Sequence, residues 1–432
     1  MPGDKSISHR ALIMGATAVG TTRVHGLLEG DDVRRTAAAL RALGAEIPRD
    51  ADGAWRVEGR GVGGLTAPAE VLDMGNAGTG ARLLCGLLAS HPFTAFLTGD
   101  ASLCRRPMDR IIAPLERMGA RFLTRDGGRL PLAVSGARDP MPIEYRLPVP
   151  SAQVKSAILL AGLNAPGQTR IVEPVPTRDH TETLMHHFGV AIAVDDDSES
   201  GARTVTLEGQ PEITGREIVV PADPSSAAFP LIAALLVPGS RITISGVGVN
   251  PTRTGLLDSL AEMGAALTFD DRRRVAGEPV ADITATAGPL EGIRVPAARA
   301  PSMIDEYPIL AVAAACARGT TRLEGLAELR VKESDRLAAI ADGLALCGVA
   351  VEAGPDSLTI HGAGGPPPGP DPEAVVATHM DHRIAMAFLV LGLAAARPVR
   401  IDDGAMIDTS FPGFVALMTG LGAAIVAPEL AE

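Results

Sequence analysis

Lysine is nearly absent from this chain of 432 residues: only Lys5, Lys155 and Lys332 occur among its 39 basic residues. A chain that writes almost every cation as arginine has kept lysine where a compact ammonium with three rotatable donors can reach a phosphate as a point charge. Two of the three sit in dense polar clusters, at 4–10 and 331–336. Excess positive charge is also missing. A net charge of -12 speaks against a nucleic-acid or anionic-membrane partner, and confines any anion site to a local pocket, because salt screens charges beyond about 8 Å. Cysteine is scarce, and Cys85, Cys104, Cys316 and Cys347 show no metal-ligand spacing. They read as buried free thiols in a reducing cytoplasm. There is no charged leader followed by an apolar core, and apolar stretches such as 227–237 are too short to span a bilayer. The expectation is a cytoplasmic protein.

What the chain has is repetition. The length suggests more than one core, and a hydrophobic share of 46% is ample to build them. A pattern of about 75 residues recurs six times: a polar cluster, an Ala/Leu-rich helix, a strand, a charged helix ending at a Gly turn, then strands. The second helices fall at 36–46, 112–121, 183–191, 259–266, 340–350 and 416–424, with apolar residues three and four apart before a Gly stop. The first helix of each unit is nearly all apolar, as at 156–163 and 309–315, and so should be buried.

Each first helix opens on a polar cluster: at 4–10, 75–82, 150–156, 223–226, 301–307 and 379–383. Backbone N–H groups and the helix dipole at such starts favour anions. A division near 219–223 would give two similar lobes, 1–220 and 221–432, each of three βαβαββ units, with a cleft between them. The Pro/Gly-rich 362–372 reads as a surface loop. Gly59-Arg60-Gly61-Val62-Gly63-Gly64 fits a dinucleotide pattern, but no helix start follows it, so it reads as a loop.

The clusters hold cations, hydroxyls and carboxylates, with neither a metal set nor a covalent triad. That inventory suits proton transfers between two anionic small molecules. Residues 2–10 (Pro-Gly-Asp-Lys-Ser-Ile-Ser-His-Arg), 75–80 (Gly-Asn-Ala-Gly-Thr-Gly), 151–156 (Ser-Ala-Gln-Val-Lys-Ser), 330–336 (Arg-Val-Lys-Glu-Ser-Asp-Arg) and 381–383 (Asp-His-Arg) carry, in order, a resemblance to the 5-enolpyruvylshikimate-3-phosphate synthase family, in its class II bacterial branch. The resemblance covers essentially the whole length.

It implies a two-lobed inside-out α/β barrel, transfer of the enolpyruvyl group of phosphoenolpyruvate to the 5-hydroxyl of shikimate 3-phosphate, no cofactor and a monomer. By motif match, Asp305 takes the hydroxyl proton, Glu333 protonates the methylene and Lys5 lies close to the developing charge. Lys5, Gly78, Arg106, Arg336 and Arg383 hold phosphoenolpyruvate. Ser6, Arg10, Ser151, the Ala152 backbone, Gln153, Lys332 and Arg178 hold shikimate 3-phosphate. Arg336 is placed one helical turn after Lys332. Lys155 receives no direct role, a capping or supporting charge being the expectation, and His9 and His382 read as packing residues.

Three departures accompany the resemblance. The Pro-Gly-Asp-Lys-Ser motif starts at Pro2, so the expectation is either a second lobe one strand short or a misassigned start codon. Asp408-Thr409, where class I members have a lysine, precedes Ser410-Phe411-Pro412. Gly78 stands where insensitive class II members carry Ala, whose methyl would crowd glyphosate. Rival readings are the sister transferase acting on UDP-N-acetylglucosamine, an RNA terminal-phosphate cyclase and a non-catalytic phosphometabolite-binding protein. The sister enzyme has a reactive cysteine five residues before the loop arginine, where this chain has Ala101. The cyclase needs a basic surface that an acidic chain lacks, and pure anion binding gains nothing from Asp305 and Glu333.

Overall fold

A computed structural model of the chain describes residues 1–426. The chain divides into two compact units after Pro221, and the short segment Arg273–Pro279 groups with the N-terminal one.

In the N-terminal unit, three apolar helices are buried almost throughout: α1 (Lys5–Thr17), α3 (Gly78–Leu88) and α5 (Ala152–Gly162). Each is followed by an amphipathic helix: α2 (Asp31–Ala42), α4 (Asp109–Arg117) and α6 (His180–His187). The C-terminal unit repeats the alternation. Its buried helices are α7 (Pro224–Leu236), α9 (Tyr307–Cys316) and α11 (His382–Ala394), and their followers are α8 (Gly255–Glu262), α10 (Arg336–Leu346) and α12 (Phe414–Gly420).

The Gly stops read from sequence have a backbone reason. Gly44, Gly119, Gly189, Gly264, Gly348 and Gly422, one behind each follower helix, all have positive φ, between 77° and 102°. Left-handed backbone at that position closes the last carbonyls of a helix, and only glycine adopts it without a Cβ clash.

Strand pairing makes the N-terminal unit cyclic. Val19–His25 pairs antiparallel with Trp55–Arg60 and parallel with Glu217–Val219, so the unit's last strand closes onto its first sheet. The other two sheets follow the same rule. Leu72–Asp73 lies parallel to Thr94–Thr98, and Glu144–Arg146 lies parallel to Gln168–Glu173, each beside two antiparallel strands.

In the C-terminal unit, Arg294–Val295 plays this part for Thr320–Glu324. Among the described residues the sheet of 241–248, 266–275 and 278–286 has three strands, and the sixth repeat keeps only the parallel bridge Val376–Ile401. Gly59–Gly64 is the end of a strand and a turn. Cys85 and Cys347 are buried as expected, but Cys104 and Cys316 are only partly so, because they lie at the edge of their packed runs. No described helix is long and apolar enough to cross a membrane.

Each unit has its own apolar core, built on its three buried helices. Packing is close where α3 crosses α5: a Cβ on Gly86 would stand 2.4 Å from the Ala157 carbonyl oxygen and 2.5 Å from its Cα. That approach fixes the spacing of the starts of α3 and α5, both of which carry site residues.

Candidate active site

In the N-terminal unit the site residues gather at helix starts. Asp4 caps α1, its carboxylate accepting from the Ile7 amide at 2.9 Å. The cap aims the first turn, and Lys5 from that turn makes an ion pair with the nearly buried Asp32 of α2. Arg10, one turn further on, is buried among hydroxyls. Its Nε donates to Thr181 Oγ1 at 2.7 Å, Nη2 to Ser156 Oγ at 2.7 Å and Nη1 to the Ser6 carbonyl at 3.0 Å. Burial pushes its pKa down to about 10, still well above neutrality.

Ser151 caps α5, accepting from the Val154 amide at 3.4 Å, and Gln153 Nε2 donates to Thr79 Oγ1 at 3.0 Å across to α3. Gly78 is the first residue of α3. A Cβ there would stand 2.9 Å from Arg106 Nη1 and 3.1 Å from Arg82 Nη1, so the bare backbone lets both guanidiniums approach. Arg106 is held by Asn76 Oδ1 at 2.6 Å and Ser102 Oγ at 3.2 Å. Arg178 is half-buried and lies near enough to Arg10 to help lower its pKa. His9 is a packing residue here. Its Nδ1 shares a hydrogen bond of 2.8 Å with Thr36 Oγ1, and burial, then Lys5 and Arg10, hold its pKa well below the usual value.

In the C-terminal unit one guanidinium organises the site. Arg336 is 1% exposed; its Nε donates to Asp381 Oδ2 at 2.7 Å, Nη1 to Asp305 Oδ1 at 3.2 Å and Nη2 to Glu333 Oε2 at 2.5 Å. Burial pulls its pKa down, but Asp381, Glu333 and Asp305 together more than reverse this, so Arg336 is permanently charged. Lys332 Nζ is 3.6 Å from Asp305 Oδ1, and Arg383 Nη1 donates to the Asp305 carbonyl at 3.3 Å.

Asp305 and Glu333 keep 16% and 20% of their side chains exposed, against none of Asp381. The first two can therefore exchange protons with something outside the cluster, whereas Asp381 serves as an anchor. Asp381 also caps α11 through the Arg383 amide at 3.0 Å and accepts from Ser334 Oγ at 3.0 Å. The two residues before it, His379 and Met380, have φ of 53° and 58°, left-handed conformations that side chains adopt at a cost of about 1–2 kcal/mol.

One expectation from sequence is corrected. Lys332 and Arg336 do not share a helix: Lys332 closes a short 3-10 turn, Ala327–Val331, and α10 begins at Arg336. Asp335 caps α10 by accepting from the Ala338 amide at 3.0 Å, which stops the helix from extending back to Lys332. Three partners were missed in the sequence. Asp381, Asp32 and Thr181 look like ordinary helix-start residues until the fold brings Arg336, Lys5 and Arg10 to them. The signal for Asp381 was its place in the Asp-His-Arg motif itself.

The family model for EPSP synthase (3-phosphoshikimate 1-carboxyvinyltransferase) matches residues 1–418. The chain belongs to this family. It is 66% identical to the 3-phosphoshikimate 1-carboxyvinyltransferase of Paramagnetospirillum magneticum strain AMB-1 and 64% identical to that of Rhodospirillum rubrum, covering 98% of this chain and 94% of each relative. Among solved structures, the EPSP synthase of Acinetobacter baumannii matches with a TM-score of 0.85 and 44% identity, over 98% of this chain and 95% of that one. The enolpyruvyl transferase NikO of Streptomyces tendae, at 20% identity, has a TM-score of 0.75 over 99% of this chain and 95% of its own. That last likeness concerns fold alone: the inside-out α/β architecture of this family, as the resemblance implied.

Proposed function

We propose that the protein transfers the enolpyruvyl group of phosphoenolpyruvate to the 5-hydroxyl of shikimate 3-phosphate, releasing phosphate, as a step of the shikimate pathway. The family and the identity to curated 3-phosphoshikimate 1-carboxyvinyltransferases support it. The observation that carries the chemistry is the set of Asp305, Glu333 and Lys332 around the fixed charge of Arg336.

In the addition, the 5-oxygen bonds to C2 of phosphoenolpyruvate, and its proton goes to Asp305. The C2–C3 double-bond electrons take a proton at C3 from Glu333. In the elimination, the C2–O bond to phosphate breaks as Asp305 gives its proton to the leaving phosphate, a C3 proton returns to Glu333 and the double bond re-forms. Two partly exposed carboxylates beside cations fit the two proton transfers. Lys5, held by Asp32, supplies positive charge where negative charge develops.

Lys5, Gly78, Arg106, Arg336 and Arg383 hold phosphoenolpyruvate in this reading, and Ser6, Arg10, Ser151, Ala152, Gln153, Arg178 and Lys332 hold shikimate 3-phosphate. Arg336 is already engaged by three carboxylates of its own, so a substrate anion bound there shares or displaces one of them. The protein works as a cytoplasmic monomer without a cofactor. Glyphosate competes with phosphoenolpyruvate at Gly78. The test is phosphate release from phosphoenolpyruvate with shikimate 3-phosphate and, in parallel, with UDP-N-acetylglucosamine. Release with the first alone supports the proposal, and release with the nucleotide sugar alone assigns the sister reaction.

A further inference from the structure

Lys155 is the one lysine the proposed chemistry does not use, and its side chain is completely buried. An ammonium in that position costs several kcal/mol in lost hydration unless carboxylates surround it. Two do. Glu173, at the end of a strand, approaches Nζ through Oε2 at 2.8 Å, and Glu182, on α6, through Oε1 at 2.6 Å. Thr177 completes the group: its hydroxyl donates to Glu173 Oε1 at 2.5 Å, and its carbonyl lies 3.5 Å from Nζ.

The neighbours of these residues form a second set. Ser156, next to Lys155 on α5, and Thr181, next to Glu182 on α6, share a hydroxyl hydrogen bond of 2.7 Å. Those two hydroxyls are the ones that accept from Arg10 Nη2 and Nε. An ionic contact and a hydroxyl contact, side by side, therefore tie α6 to α5, and Arg10 is seated in the hydroxyl one. Glu182 is also the strongest opposing charge acting on Arg10.

We infer that Lys155, with Glu173 and Glu182, is a positioning device for Arg10: it locks α6 against α5 so that the guanidinium is held where it meets shikimate 3-phosphate. The inference rests on the proposed role of Arg10. Lys155 touches no substrate. Its effect should fall on shikimate 3-phosphate and spare phosphoenolpyruvate, whose proposed ligands the cluster does not contact.

The experiment measures steady-state KM for each substrate and calorimetric binding of shikimate 3-phosphate in the wild type, Arg10→Met, Lys155→Met and Lys155→Met/Glu182→Gln. The double variant removes one stranded carboxylate, and so keeps the test open where Lys155→Met fails to fold. A misplaced charge-assisted bond from Arg10 to its substrate predicts a KM for shikimate 3-phosphate raised about tenfold to a hundredfold in Lys155→Met and in the double variant. The KM for phosphoenolpyruvate should stay within about twofold, a split that general loosening of the fold would not give.

A folded Lys155 variant with unchanged affinity for shikimate 3-phosphate, beside an impaired Arg10→Met, overturns the inference alone. An equal rise in both KM values overturns it too. A wild type that neither binds nor turns over shikimate 3-phosphate overturns the reaction reading, and the inference with it.

Discussion

Replacing Arg336 by Met should expose how much the C-terminal cluster depends on one buried charge. The substitution keeps most of the aliphatic volume but removes the guanidinium that Asp381, Glu333 and Asp305 share, leaving Lys332 beside Asp305. Coulomb attraction is about 4 kcal/mol per pair at 4 Å with an effective dielectric of about 20, so three pairs amount to roughly 12 kcal/mol gross, most of it offset by desolvation. The carboxylates do not share the loss equally. Asp305 and Glu333 are 16% and 20% exposed and can recover water, whereas Asp381 is fully buried and cannot. One stranded buried charge sets the cost, at about 3–5 kcal/mol.

For a unit of this size each kcal/mol moves the melting temperature by about 2–4 °C, so the C-terminal unit should melt roughly 6–20 °C lower near pH 8. The sign of the pH dependence follows. A stranded buried carboxylate has a folded pKa above its unfolded value of about 3.9, so its penalty is full above the folded pKa and is relieved as pH falls through it. The deficit should shrink towards about pH 5, and Asp381→Asn in the same chain should restore much of it, because Asn still caps α11. Circular-dichroism melts of the wild type, Arg336→Met and Arg336→Met/Asp381→Asn at the two pH values provide the assay. A variant that melts with the wild type near pH 8, or a deficit that neither pH nor Asp381→Asn changes, would refute the three-carboxylate account.

Three further outcomes are expected. Gly86→Ala forces α3 and α5 apart at Ala157 and should cost about 1–3 kcal/mol as overpacking, read from the urea midpoint of the N-terminal unit, whereas an unchanged midpoint would mean that the crossing is slack. His9, buried with a lowered pKa, takes its proton more readily when unfolded, so stability falls as pH drops through the unfolded value of about 6.5; His9→Gln should save about 1.4 kcal/mol of the loss between roughly pH 7.5 and 5.5 in urea titrations, and parallel losses would contradict this. Gly78→Ala places a methyl 2.9 Å from Arg106 Nη1; it should raise the KM for phosphoenolpyruvate and weaken glyphosate inhibition more than it affects shikimate 3-phosphate, and unaltered glyphosate inhibition would sink the steric account.

Much of this protein was legible as sequence because its signals are local. Apolar runs behind polar clusters identified the buried helices, and Gly stops identified the ends of the helices that follow them, since helix burial and left-handed caps depend on residues within one or two turns. The motifs named Lys5, Gly78, Arg106, Asp305, Glu333, Arg336 and Arg383 as candidates, although Lys332 was wrongly put on the helix of Arg336, because the cap at Asp335 competes with a continuous helical reading. What only the tertiary structure decided is which charge faces which. Asp381 lies 45 residues from Arg336, and Glu182 lies 27 residues from Lys155, on a different helix. No periodicity encodes such pairings: a buried ion finds its partner through the packing of whole elements, and the free energy of that meeting depends on the water both partners have lost.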